Sequence, residues 1–495
     1  MLQPQDRLYF IHIPKTAGTT LIPHLDARFH VDEICPAQLW PQLLLLPQET
    51  LPRYRLFRGH FGAKGLDCFL PEPPLRITML RHPVPLALST YQFILREPGT
   101  HLHRLVKSGK MSFAEFLQHP KARLAVTNKQ VSNLGFELRY QPGRGPALSA
   151  ARGAKQWVNS RKVVCPSPQE RLEGALAVLQ ECVFFGLVER FDESIALLSW
   201  TFGWPPAGPV QKLMVAPPAS RRGSALSASL ETQIRAYNPL DLALYEAAEK
   251  RFEERLAAMR EDLQQYARAG ETMPDSLIAD PQLLYKLLKR HYRCHQPKQV
   301  RPAGACIRMT FAEPLPGSGW HRREEAPSEG IFYRWTGPGR VSTLAFPLGV
   351  AEDLVITFLV LDAASRTILE SLQLTVNGQP VALRSFGRGS HFPRYYQTFV
   401  PQDIFSSRTR HIRLAFRVAK TAHRERFYWD PRAVGVAIGG VELAPAREAP
   451  LEEVLMARLK KLRRPISWRL WLLQTPWFGP RLRKLYLYLR AVYFS

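Results

Sequence analysis

Residues Phe10 to Thr20 read F-I-H-I-P-K-T-A-G-T-T, and L-I-P-H-L-D-A-R-F follows. Four residues of β-strand character enter a Pro-Lys turn, pass small and hydroxyl residues, and meet a helix candidate. Strand, turn and helix is the layout of an anion-holding loop. A helix starting just after Gly18 presents free backbone N–H groups and the positive end of its dipole. Gly18 lets an anion approach the backbone, Thr16, Thr19 and Thr20 offer hydroxyl donors, and Lys15 brings a full charge. Ala17 completes the loop and Pro14 stiffens its entry. The nucleotide loop G-x-x-x-x-G-K-[ST] is a poor match, because here the lysine precedes the glycine. On this segment alone, a plain strand-to-helix turn with its lysine in solvent stays open.

Working outward, R-L-Y-F-I-H-I, L-R-I-T-M-L and E-C-V-F-F-G-L-V are short apolar runs separated by amphipathic stretches. Such runs fit strands buried on both faces of a parallel sheet, so residues 1–270 are expected to form an α/β domain. Asp192 is placed to cap a helix that Gly203 ends. Tyr245, Ala248, Phe252, Leu256 and Met259 recur at helical spacing on one apolar face. Residues 271–305 read as a linker containing the amphipathic piece L-L-Y-K-L-L-K-R.

From 306 to 445 the period changes to two, as in T-L-A-F-P-L and H-I-R-L-A-F-R-V. Asn377-Gly378 between alternating runs signals a two-residue hairpin. An antiparallel β-sandwich is expected here. Trp320, Trp335 and Trp429 suit either sugar platforms or a sandwich core, and the core reading is favoured. Residues 446–495 form a basic, aromatic, helical tail, with Arg458, Lys460, Lys461, Arg463 and Arg464 followed by Trp468, Trp471, Trp477 and Tyr486. That mixture suits a helix in an anionic membrane interface or one packed on the protein body.

The 495 residues allow two or three domains, and 67 Lys+Arg against 42 Asp+Glu give a net charge of +25. The charge favours polyanionic partners without choosing among them. No nucleic-acid reader motif is present, so no nucleic-acid partner is expected. The six cysteines are scattered without a C-x-x-C pair, the pattern of reduced thiols in a cytoplasmic protein. His291, Cys294, His295 and Cys306 match no zinc spacing. No secretory pattern and no long uncharged apolar run occurs, so the expected location is cytoplasmic, with peripheral contact at the inner membrane face through the tail.

Two segments together carry a family resemblance. I-H-I-P-K-T-A-G-T-T-L is similar to the 5′-phosphosulfate-binding loop of carbohydrate sulfotransferases, nearest in pattern to the heparan sulfate 2-O- and 6-O-sulfotransferase group. I-T-M-L-R-H-P-V-P-L-A-L-S-T-Y resembles that family's 3′-phosphate element, a strand, then Arg81, a proline, and Ser89 eight residues after the arginine, its hydroxyl expected at the start of the following helix. T-N-K-Q-V-S-N-L, around Asn128 and Gln130, resembles the segment lining the cleft. F-F-G-L-V-E-R-F-D-E-S and Y-N-P-L-D-L-A-L-Y-E resemble the closing strand-helix and final helix. The likeness covers roughly the first 270 residues. It departs at His82, where aspartate is usual, and at Leu86, where a second basic residue is common.

The resemblance implies a P-loop-like three-layer α/β fold and 3′-phosphoadenosine 5′-phosphosulfate (PAPS) as sulfuryl donor. The acceptor would be a hydroxyl of a carbohydrate or glycoconjugate, and no metal is required. Lys15 would stabilise charge on the bridging oxygen. Lys15, Thr16, Ala17, Gly18, Thr19, Thr20, Arg81 and Ser89 would hold the donor. A histidine base is expected, and His60 in F-R-G-H-F-G-A-K-G fits best. His12 is a poorer choice within the first strand, and His24 is expected to be exposed. Arg58 and Lys64 could guide an anionic acceptor or be solvated charges. The rivals are a kinase-like NTPase and a non-catalytic glycan- or membrane-associated binding protein that keeps the fold.

Overall fold

The computed structural model describes residues 2–138, 157–163, 167–206, 226–274, 279–295, 306–326, 330–347, 352–387, 392–405, 411–423 and 432–462. The chain divides into two compact units, Met1–Ile22 with Asp32–Gln296 and Pro23–Val31 with Pro297–Ser495.

The first unit is built on a four-stranded parallel sheet in the order β2-β1-β3-β4. Its strands are β1 (Leu8–Ile11), β2 (Leu56–Gly59), β3 (Leu75–Leu80) and β4 (Phe184–Leu187). L-Y-F-I and F-F-G-L are buried at every position, so both faces of these strands need covering. A Leu, Ile or Phe side chain among them is worth about 1.5–3 kcal/mol when fully removed from water. The main helices, numbered as introduced, are α1 (Gly18–Asp26), α2 (Pro83–Arg96), α3 (Lys129–Leu134), α4 (Pro168–Glu181), α5 (Phe191–Phe202), α6 (Ala228–Tyr237), α7 (Pro239–Gln264) and α8 (Pro281–His295).

Local chemistry explains where these helices begin and end. Ser167 and Glu170 form a reciprocal capping box on α4, with Pro168 at the first helical position. On α5 the cap position is Arg190, and Asp192 is the second helical residue, where with Glu193 it faces the positive helix end. Gly203, left-handed at φ 62°, closes α5 as expected. Tyr245, Ala248, Phe252, Leu256 and Met259 are the buried face of α7. Helix α8, read as part of a linker from sequence, falls within the first unit and buries Leu283, Leu284, Leu287 and Leu288.

The second unit holds two antiparallel sheets. One runs β13-β14-β10-β16-β8-β7, with β5 also paired to β16; the other runs β12-β11-β15-β9-β6. Their strands are β5 (Ile307–Met309), β6 (Gly317–Ser318), β7 (Trp320–Ala326), β8 (Ile331–Thr336), β9 (Val341–Pro347), β10 (Leu354–Ala363), β11 (Gln373–Val376), β12 (Gln379–Val381), β13 (Arg384–Phe386), β14 (Arg394–Val400), β15 (His411–Arg417) and β16 (Val436–Pro445). Alternate residues of β9 and β15, among them Leu344, Phe346, Ile412 and Leu414, join Ile356, Phe358, Val441 and Leu443 in a single core. Asn377 (φ 51°) and Gly378 (φ 94°) are both left-handed, the turn that joins β11 to β12.

Trp335 is 1% exposed within this core. Trp320 packs on Phe311 and Phe416 and donates its indole N–H to the Thr343 carbonyl at 2.9 Å. Both are structural tryptophans; Trp429 lies outside the described residues. A last helix, α9 (Glu452–Leu462), buries Leu455 and Leu459 and ties Arg458 to Glu442 at 3.1 Å. The start of the basic tail is therefore packed on the protein, and residues 463–495, with Arg463, Arg464, Trp468, Trp471, Trp477 and Tyr486, lie outside the described residues. Among the described residues no helix is long and apolar enough to cross a membrane. Cys35, Cys68, Cys182, Cys294 and Cys306 are free thiols, and Cys165 is not among the described residues.

Candidate functional site

The register of the parallel sheet aligns Ile11 with Gly59 on one side and with Thr78 on the other. The segments leaving β1, β2 and β3 therefore emerge side by side at the carboxyl edge of the sheet, the edge where open α/β sheets bind ligands. Lys15 to Thr20 follow β1, His60 follows β2, and Arg81 follows β3.

The loop after β1 is strained. Lys15 (φ 71°) and Ala17 (φ 62°) are both left-handed without being glycine. Each such residue costs on the order of 1–3 kcal/mol, and left-handed steps in a turn shape the backbone concavities that take anions. Three expectations are revised in detail. The Thr16 hydroxyl is fully buried and donates to the Ile13 carbonyl at 2.8 Å, so it fastens the turn rather than offering a donor. Gly18 is small for His12, because a Cβ there would lie 1.9 Å from the His12 Nε2. Ser89 sits in the second turn of α2, not at its start. Thr19 is exposed and Thr20 is buried.

Lys15 leans back over α2, its ammonium 4.4 Å from the Phe93 ring centre. Burial, then Arg96 and Arg81, pull its pKa below the usual lysine value. Lys15, Arg81 and Arg96 thus form a cationic group around one stretch of loop. Arg96 was not legible as a site residue, since only the fold brings the end of α2 back to Lys15.

His12 and His60 are the next residues after the paired Ile11 and Gly59. Side chains in register on neighbouring strands lie about 4.8 Å apart, and these rings stack with centres at 4.4 Å. The His60 Nδ1–H donates to the His12 carbonyl at 2.6 Å. That bond fixes the tautomer and leaves Nε2 with its lone pair. Burial lowers the His60 pKa, partly offset by the same bond. His12 is pushed down to about 3 by burial, then by His60 and Lys15, so it stays neutral. His12, a poorer candidate for the base, joins Gly18 to His60. The signal for it was its position one residue beyond a strand end.

Arg81 continues β3 and donates through Nη1 to the Lys15 carbonyl at 3.2 Å, and its Nε lies 3.9 Å from Glu189. Glu189 also accepts from the His82 backbone N–H at 3.2 Å and from the Tyr245 hydroxyl at 2.9 Å. His82 caps α2 by accepting the Val84 N–H at 3.3 Å, a service that aspartate also performs. Leu86 is buried in the same helix. Gln130 is fully buried instead of lining an open cleft. Arg58 donates to the Cys35 carbonyl at 2.8 Å, and Lys64 pairs with Glu181 at 3.7 Å. His24 is half-buried, and burial, then Arg28 and Arg334, lower its pKa to about 4. His295 bonds to the His291 carbonyl at 2.8 Å, and no group of three metal-ligating side chains gathers among the described residues.

No protein-family model matches the chain, and no curated protein sequence matches it. A solved structure, described as a novel family GH115 4-O-methyl-α-glucuronidase with specificity for decorated arabinogalactans, aligns with 73% of this chain at 12% identity and a TM-score of 0.17. The alignment spans 42% of that enzyme's own chain. At that TM-score the likeness carries no argument about fold or chemistry.

Proposed function

We propose that the first unit is a PAPS-dependent sulfotransferase domain with a P-loop-like three-layer fold, acting on a hydroxyl of a carbohydrate or glycoconjugate. The observation that carries this reading is the convergence of three strand exits. A left-handed lysine loop, an arginine bonded to that loop, and a histidine with a free Nε2 meet at one sheet edge. The N-terminal turn of α1 and the loop backbone suit the 5′-phosphosulfate, while Arg81, with Ser89 further along α2, suits the 3′-phosphate.

In the proposed step His60 Nε2 takes the proton of the acceptor hydroxyl. The acceptor oxygen bonds to sulfur as the bond from sulfur to the phosphate oxygen breaks. Lys15 stabilises the charge left on that oxygen, and 3′-phosphoadenosine 5′-phosphate departs. A depressed His60 pKa keeps the base unprotonated at neutral pH.

A second reading, a non-catalytic binding protein, is favoured by one feature: the Lys15 ammonium rests on Phe93. Calorimetric titration with 3′-phosphoadenosine 5′-phosphate, against AMP and ATP, tests the donor. Binding selective over both, and lost in Arg81→Ala, is expected; a folded protein that binds none of them sinks the sulfotransferase reading. Lys15→Ala then separates the two readings, since it should abolish sulfuryl transfer while leaving the fold intact.

A further inference from the structure

Sheet pairing on β3 ends at Leu80, opposite Leu187, with one further bond from the Val188 N–H to the Leu80 carbonyl at 2.9 Å. Arg81, the next residue, is held by a side chain instead. Gln130 accepts the Arg81 N–H through Oε1 at 2.9 Å and donates through Nε2 to the Arg81 carbonyl at 2.8 Å. A carboxamide carries the same donor and acceptor as a peptide group, so Gln130 acts as a one-residue strand neighbour. Both of its bonds are shielded from water, since Gln130 is fully buried.

Gln130 is in turn anchored by two helix starts that cap each other. Asp241, in the first turn of α7, accepts from the N–H of Gln130 at 3.0 Å and of Val131 at 2.8 Å, the first turn of α3. Asn128, left-handed at φ 45° before α3, accepts from the N–H of Leu240 and of Asp241, both at 3.2 Å, the first turn of α7. The Asn128 N–H completes the loop by donating to Asn238 Oδ1 at 2.8 Å. These donors have no partner within their own helices, so the exchange satisfies both ends.

We infer that Gln130 is the positioning residue for Arg81, holding its guanidinium on the donor loop and thereby setting selectivity for a 3′-phosphorylated nucleotide. This rests on the function proposed above. An alternative resting place lies nearby: Glu189 is 3.9 Å from the Arg81 Nε. An Arg81 backbone released from Gln130 can close that pair and withdraw from the loop.

The test is calorimetry on the full chain with 3′-phosphoadenosine 5′-phosphate and with AMP, for wild type, Gln130→Met, Gln130→Glu and Arg81→Ala, with thermal unfolding as the folding control. Gln130→Met keeps the shape and removes both bonds. Gln130→Glu keeps the acceptor for the Arg81 N–H and sets a carboxylate against the Arg81 carbonyl. The expected result is a loss of about tenfold or more in affinity for the 3′-phosphorylated ligand, with AMP affinity unchanged. A merely structural role would weaken both ligands together. An unchanged ratio of the two affinities in whichever variant folds overturns the inference and leaves the proposed function standing. A wild type that binds neither nucleotide removes that function, and this assignment with it.

Discussion

The smallest residue at the candidate site is fixed by a side chain at the end of the strand that leads into its own loop. A methyl group at Gly18 must displace the His12 ring, which is itself stacked between Phe10 and His60. Gly18→Ala is therefore expected to cost about 1–3 kcal/mol, the usual scale of overpacking, in a denaturant titration. It should also disturb the His60 ring, read as a shifted imidazole titration by NMR; an unshifted titration would count against the His12 bridge. Because burial depresses the His60 pKa, the acid limb of kcat/KM for the proposed transfer should fall below pH 6.5. A limb at or above that value argues against His60 as the base. The loop itself was legible, since strand, turn and helix follow one another in sequence. The pairing of His12 with His60 was not, because it depends on the register of strands 48 residues apart.

At the scale of elements, the reciprocal caps of α3 and α7 make a pH-dependent joint. Burial raises the Asp241 pKa to about 6, against the pull of the Val131, Gln130 and Lys129 backbone N–H groups. A raised carboxyl pKa means the folded state holds its proton more tightly. Its contribution to stability is complete below about pH 3.8 and is lost as pH rises through about 6, by up to about 3 kcal/mol. The stability advantage of wild type over Asp241→Asn should therefore shrink between pH 5 and pH 7 in urea unfolding; an equal difference at both would refute the coupling. Elements whose signals are local came through well. The Asn377-Gly378 turn and the Gly203 stop follow from backbone sterics alone. The exchange between α3 and α7 was hidden, since Asn128 and Asp241 are 113 residues apart in sequence.

For the whole molecule, buried histidines act in the opposite sense to Asp241. His12 and His24, lowered to about 3 and about 4, and His60, also lowered, bind protons less readily folded than unfolded. Their contribution is fully present above about pH 6.5 and is lost progressively as pH falls toward those values. The melting temperature of the full chain should drop between pH 7.5 and pH 5.5, and a flat profile would show that these rings are not buried in solution. The change from runs of buried strands to period-two alternation marked the two architectures, because each period reports how many faces a strand buries. Sequence patterning gave no warning that residues 23–31 belong with the later half of the chain, since those nine residues read as the end of one helix and its exit.

That division has a consequence for synthesis. The Val31 N–H donates to the Ala312 carbonyl at 2.9 Å, the Leu315 N–H to the Ala27 carbonyl at 2.8 Å, and Arg323 to the carbonyls of Asp26 and Phe29 at 2.9 and 2.8 Å. At about 5–20 residues per second, the early segment leaves the ribosome some 15–60 s before those partners exist. Nascent chains arrested shortly after residue 296 should be cut by protease near Ala27, and chains released at full length should not. Vectorial synthesis thus leaves the stretch just beyond the lysine loop waiting, a natural interval for chaperone capture.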